Sequence, residues 1–186
     1  MEQVVNRRNR RNRRNRLLAA AVALAISACA PLTRSVVLEV PNAPANSFAV
    51  ARFQVPKSWV PFDAAPARAE FLGPDRRSRA YLRALPASQK PEKCERLVSR
   101  YADDVIDSWG GPPHTRVVRR ENQKNEARFE LRRTDPKPHG ETIWSRIRCE
   151  RGALAVASCT VPSRAHADVQ DQCRNALGSL ELTVTR

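Results

Sequence analysis

Residues 142–161 constrain the fold more than any other stretch, because they read as one β-hairpin whose register follows from its turn. Residues 142–149 and 153–161 are rich in β-branched and small apolar side chains, and Arg151-Gly152 between them is a two-residue turn signal. A loop of that length sets Cys149 opposite Leu154, Ile147 opposite Val156 and Trp144 opposite Cys159. Side chains alternate faces along a strand, so Cys149 and Cys159 point to opposite sides of the sheet. They also stand too far apart to bond, since bridged Cα atoms lie within about 7 Å.

The partners for these two cysteines sit in predicted helices. Over residues 91–109, Cys94, Leu97, Val98, Tyr101, Val105, Ile106 and Trp109 recur at helical spacing. Pro91 suits the first turn and Gly110-Gly111-Pro112-Pro113 stops the helix. A second helix, residues 165–177, carries Val169, Cys173, Ala176 and Leu177 on one stripe and ends at Gly178. With a helix on each face of the sheet, each strand cysteine receives one helical cysteine. The short link from Cys159 assigns it Cys173 and leaves Cys94 for Cys149, each bridge contributing roughly 2–4 kcal/mol.

The fifth cysteine has a different setting. Residues 17–28 form an apolar run, LLAAAVALAISA, preceded by the arginine-rich residues 7–16 and followed by Cys29. A dozen apolar or small residues is short of the roughly 20 that span a bilayer. The layout of basic start, apolar middle and small-residue end is that of a secretory signal. Ile26-Ser27-Ala28-Cys29 resembles the lipobox of bacterial lipoproteins, with Ile where Leu is commoner. The resemblance implies removal of residues 1–28, acylation of Cys29 and, since Ala30 rather than Asp follows, sorting to the outer membrane. Several acyl chains at about 0.8 kcal/mol per buried methylene hold a protein to a leaflet nearly irreversibly.

That address decides how the remaining features are read. The arginine run becomes the start of an export signal rather than a nucleic-acid arm, and the formal charge falls from +14 to +8 once residues 1–28 are set aside. Cys94, Cys149, Cys159 and Cys173 become two disulfides in an oxidising compartment. No C-x-x-C occurs, and His114, His139 and His166 stand far apart, so the spacing implies neither metal nor cofactor. The mature basic residues are scattered along the chain, as solvated strand faces are.

The expected organisation is a lipidated tether, residues 29–34, and one α+β domain, residues 35–186. Strands are expected at residues 35–40, 47–55, 68–72, 78–85, 115–121, 126–133 and 180–185 besides the hairpin, with residues 61–66 as loop between two prolines. These elements make an antiparallel β-sheet with helices packed on both faces, a disulfide-stabilised layered sandwich. Their order is similar to the PsbP-like superfamily. The resemblance rests on Phe53-Gln54-Val55-Pro56-Lys57-Ser58-Trp59, on Phe71-Leu72-Gly73-Pro74-Asp75, and on residues 173–180, Cys-Arg-Asn-Ala-Leu-Gly-Ser-Leu. It implies a domain that binds or assembles proteins rather than one that catalyses.

No reaction motif such as a nucleophile elbow is present. The expected function is therefore a non-catalytic, lipid-anchored adaptor or inhibitor on the periplasmic face of the outer membrane, bound to another envelope protein and not to nucleic acid. Trp59 and Trp109, each beside a turn, are the candidate partner contacts, Trp being a frequent interface anchor. Two other functions compete with it. One is binding of lipopolysaccharide or anionic lipid through the net positive charge. The other is an envelope hydrolase using Asp103, Asp107 or His139.

Overall fold

The computed structural model describes residues 32–41, 48–85, 92–110, 114–134 and 140–185. Cys29 and the whole of residues 1–28 lie outside the described residues, as does His139. Ten strands and two helices follow in the order β1 (Thr33–Glu39), β2 (Phe48–Pro56), β3 (Val60–Ala65), β4 (Arg68–Leu72), β5 (Arg79–Leu85), α1 (Cys94–Ser108), β6 (Thr115–Gln123), β7 (Glu126–Arg133), β8 (Glu141–Glu150), β9 (Ala153–Pro162), α2 (Ala167–Gly178) and β10 (Glu181–Thr185). All strand pairs are antiparallel. They form a seven-stranded sheet, β3-β4-β5-β9-β8-β7-β6, and a three-stranded sheet, β1-β2-β10.

The β8–β9 hairpin holds the register its turn demands, with Cys149 opposite Leu154, Ile147 opposite Val156 and Trp144 opposite Cys159. Arg151 (φ 49°) and Gly152 (φ 84°) both have positive φ, as the tightest two-residue hairpin turns require. Strand β9 reads ALAVASCTVP and is buried on both faces through Val161. Its alternate residues serve two separate cores. Leu154 and Val156 join α1 and the inner faces of β7 and β8, while Ala153, Ala155, Ala157, Cys159 and Val161 join α2, β4, β5 and the three-stranded sheet. The run of alanines lets backbone layers approach closely while still excluding water.

One disulfide serves each core. Cys94 on α1 is bonded to Cys149, with Cα atoms 5.4 Å apart, and Cys159 to Cys173 on α2, at 5.7 Å. Polar contacts fasten α2 to the three-stranded sheet. The Trp59 indole N–H donates to Gln172 Oε1 at 2.8 Å, and the Gln54 amide donates to Ser179 Oγ at 2.8 Å.

Two expectations change. Residues 60–65 are a strand, β3, at the edge of the large sheet, where a proline costs no ladder hydrogen bond, and the register slips between Pro61 and Asp63. The terminal strands do not extend the large sheet but form a second one, because β1 and β10 both pair with β2. Consequently β10 and α2 contact β8 and β9.

The disulfide loops do not overlap in sequence, so their contributions separate. The Cys94–Cys149 loop spans 55 residues and the Cys159–Cys173 loop 14, and loop-closure entropy makes the longer one stronger by about 1 kcal/mol. In denaturant melts, Cys94→Ala with Cys149→Ala is expected to lower stability more than Cys159→Ala with Cys173→Ala. The reverse order would show that native-state packing outweighs chain entropy here.

Candidate functional site

The sheet face opposite α1 stays open over β6, β7 and the outer part of β8, and it is lined with charge. A slip in register between Val117 and Arg119 turns Arg119 and Glu121 onto this face. There Arg119 lies opposite Glu130 and Glu121 opposite Arg128, while Glu130 in turn lies opposite Trp144 and Arg128 opposite Arg146. The C-terminal end of α2, with Arg174, Leu177 and Gly178, forms the wall. The result is a groove of about 350 Å³.

Its deepest interaction is built on Glu126. Arg128 and Arg146 face each other across adjacent strands, and like charges so placed repel. Glu126, two residues before Arg128, offsets that repulsion by accepting hydrogen bonds from both, from Arg146 Nη2 at 2.8 Å and from Arg128 Nε. Arg148 Nε stands 3.5 Å from the same carboxylate. One carboxylate thus serves three guanidiniums, and the Glu126 and Arg146 side chains are each only 10% exposed. Arg146 Nη1 donates to the carbonyls of Leu177 at 3.1 Å and Gly178 at 2.7 Å, satisfying the last turn of α2 and its negative dipole end.

Toward the rim the pairing loosens. Arg119 donates to Glu121, Arg174 to Asp171 at 2.9 Å, and Arg132 stands 3.7 Å from Glu130. All three arginine side chains are more than half exposed. Such surface pairs are worth about 0–1 kcal/mol. The Arg174 guanidinium is held 5.3 Å above the Trp144 ring, which orients it without occupying its N–H groups.

The carboxylates respond to this setting. Burial pushes the Glu126 carboxyl up, but the hydrogen bonds and charges of Arg146 and Arg128 outweigh it and leave the group below its ordinary value of 4.5. Asp75 behaves alike in the Gly73–Ser78 turn. Desolvation raises it, and hydrogen bonds from the Ser78 hydroxyl and from the amides of Ser78 and Arg77 bring it below 3.8.

The residues picked from the sequence fall elsewhere. Trp59 is no surface contact: it is 1% exposed, sealed in the core with α2 and hydrogen-bonded to Gln172. The loop position that suggested an anchor is instead folded inward by that bond. Trp109 is half-buried against the α1 core, with the Arg133 guanidinium 5.5 Å over its ring. Asp103 pairs with Arg120 at 2.6 Å on the exposed side of α1, and Asp104 and Asp107 are also exposed. Among the described residues, no group of three His, Cys, Asp or Glu side chains could hold a metal ion, and no helix is long and apolar enough to cross a membrane. The arginines of the groove were missed because they come from β6, β7, β8 and α2. The signal that could have found them is the shared wet face of β7 and β8, where Glu126, Arg128, Glu130 and Arg132 alternate on one strand and Arg146 and Arg148 follow each other on the next.

No protein-family model matches the sequence, and no curated protein matches it. Solved structures do. The solution structure of cyanobacterial PsbP (CyanoP) from Synechocystis sp. PCC 6803 aligns with a TM-score of 0.50 at 13% identity, over 83% of this chain and 97% of that one. The domain has a PsbP-like fold. The Ran-binding protein Mog1p of Saccharomyces cerevisiae aligns with a TM-score of 0.46 at 11% identity, over 77% of this chain and 85% of that one. At such identities the PsbP-like likeness describes the backbone and leaves the arginine groove to be read from this chain's own residues.

Both lowered carboxylates bind protons more weakly in the folded state than in the unfolded one. Their stabilisation is complete above the ordinary values, 4.5 for Glu126 and 3.8 for Asp75, and is lost as pH falls through the lowered native values. Acid unfolding should therefore begin below that range. Glu126→Gln should cost about 3 kcal/mol at neutral pH, because Arg146 is left buried without its counter-charge, and should flatten the acid limb. A variant with unchanged neutral stability and unchanged acid slope would contradict the role given to Glu126.

Proposed function

We propose that the protein is a non-catalytic lipoprotein, anchored through acylated Cys29 to the periplasmic face of the outer membrane, and that its domain binds another envelope protein as adaptor or inhibitor. We read the domain as a layered sandwich with a helix on each face of the large sheet. The reading is supported by the disulfides, which fix α1 and α2 to cysteines of opposite projection. Anchoring is supported by the apolar run ending at Ile26-Ser27-Ala28-Cys29.

The observation that carries the binding reading is the open groove itself. An arginine-rich concavity, floored by a buried ion network and roofed by nothing among the described residues, is a ready recognition surface. Arginine and Trp are among the residue types enriched at energetically important contacts. In this reading Trp144 takes the part first given to Trp59. The surplus of positive charge also favours a second reading, contact with lipopolysaccharide or anionic lipid, in which electrostatic attraction weakens with salt.

Two measurements test the proposal. Cys29→Ser should move the protein from the membrane fraction to the carbonate-soluble fraction, and a variant still membrane-bound would remove the lipid anchor. A photo-reactive residue placed at Arg128, in the groove, should give a discrete protein adduct in intact cells, whereas one at Asp104, on the exposed side of α1, should not. Equal labelling from both positions, or none from Arg128, would overturn the binding site.

A further inference from the structure

Resting on the protein-binding reading, we propose that the groove takes an acidic segment of the partner protein, whose carboxylates displace Glu121 and Asp171 from Arg119 and Arg174. The groove's own charge inventory leads there. The lining carries four arginines, Arg119, Arg128, Arg146 and Arg174, against two carboxylates, Glu121 and Glu130, and the neighbouring Glu126 is shared between Arg128 and Arg146. Nearer the edge, Arg116 stands directly opposite Arg132, which extends the positive surface along β6 and β7. Donors are in surplus and acceptors are short. The occupant that corrects this is an anion.

The rim makes exchange inexpensive. Arg119 and Arg174 are held by carboxylates that are 42% and 64% exposed, in the class of pair worth about 0–1 kcal/mol. Swapping one carboxylate for another therefore loses little, and the incoming pair is better shielded once the groove is covered. Arg174 is prepared for it, because its guanidinium already lies over the Trp144 ring, a contact that uses none of the N–H groups a bidentate acceptor would take.

Shape and charge order favour a peptide over a membrane. A bilayer presents a broad, uniformly negative plane, which meets convex surfaces and would be repelled by Glu121, Glu130 and Asp171 around the rim. A peptide carries discrete charges and can enter a concavity of about 350 Å³ beside the end of α2. Arginine and glutamate alternate along and across β6 and β7, which suits an occupant with spaced charges.

The test uses the full chain in non-ionic detergent and a fluorescent dodecapeptide of alternating Glu and Ser, with a Gln-Ser peptide as control. The Glu-Ser peptide should bind, and binding should weaken as salt rises. Arg174→Glu and Arg119→Glu should each weaken it about tenfold. Arg96→Glu, which makes the same change in net charge on exposed α1, should leave it unaltered, and thermal melts of all three variants should match the parent. Equal loss in Arg96→Glu, or equal binding of the Gln-Ser peptide, would overturn the inference. So would phosphatidylglycerol vesicles floating the parent but not Arg174→Glu while the peptide binds neither. If the Arg128 adduct forms in cells but the Glu-Ser peptide neither binds nor competes with it, the acidic-segment inference fails and the protein-binding reading stands. If the adduct is absent as well, both fail.

Discussion

The ion pair between Glu126 and Arg146 ties two strands of the large sheet to the end of a helix. Glu126 begins β7, Arg146 lies in the middle of β8, and the other side of the Arg146 guanidinium holds the last carbonyls of α2. A pair this buried has given up most of its hydration, and the loss is offset by the hydrogen bonds of both Arg146 Nη groups, while the buried Arg146 Nε has no partner. Strand register, the seat of the helix end and the electrostatics of the groove are therefore coupled through one carboxylate. Its position on the rim of the α2 core rather than inside it keeps that coupling next to the exposed arginines.

The wider architecture explains why a charged face exists at all. The large sheet is seven strands wide, but each core covers only part of it: α1 contacts β6, β7 and β8, whereas α2 contacts β8 and β9 and the small sheet contacts β4, β5, β8 and β9. Among the described strands, β9, in the centre, is the one buried on both faces along nearly its whole length. The strands beyond the reach of α2 alternate apolar residues toward α1 with arginine and glutamate toward solvent, the pattern of an antiparallel sheet with one wet face. The groove is what remains where the second layer stops.

How much of this the sequence discloses depends on whether the deciding contact is local. The β8–β9 register is legible because a two-residue turn permits one pairing, and the opposed projections of Cys149 and Cys159 follow from it. Helix α1 is legible from its apolar period, although its described span begins at Cys94 rather than at Pro91. β3 is not, because its prolines mimic a loop and its edge position appears only with the sheet order. The groove is not legible either, since Arg119, Arg146 and Arg174 are brought together by a register slip and a helix end. The burial of Trp59 is not legible for the same reason, as its hydrogen bond to Gln172 spans 113 positions. The residues that carry the PsbP-like resemblance are mostly core and turn residues, Phe53, Val55, Trp59, Phe71 and Asp75 among them, and of the groove they include only the wall at the end of α2, Arg174, Leu177 and Gly178.

Through Arg146, Glu126 links the groove floor to the end of α2. Native-state amide exchange of the parent and of Glu126→Gln, compared segment by segment, reads that linkage most directly. It predicts faster exchange in β7, β8 and the last turn of α2, with the first turns of α1 unchanged. Uniform acceleration across both cores, or none at the end of α2, would contradict it.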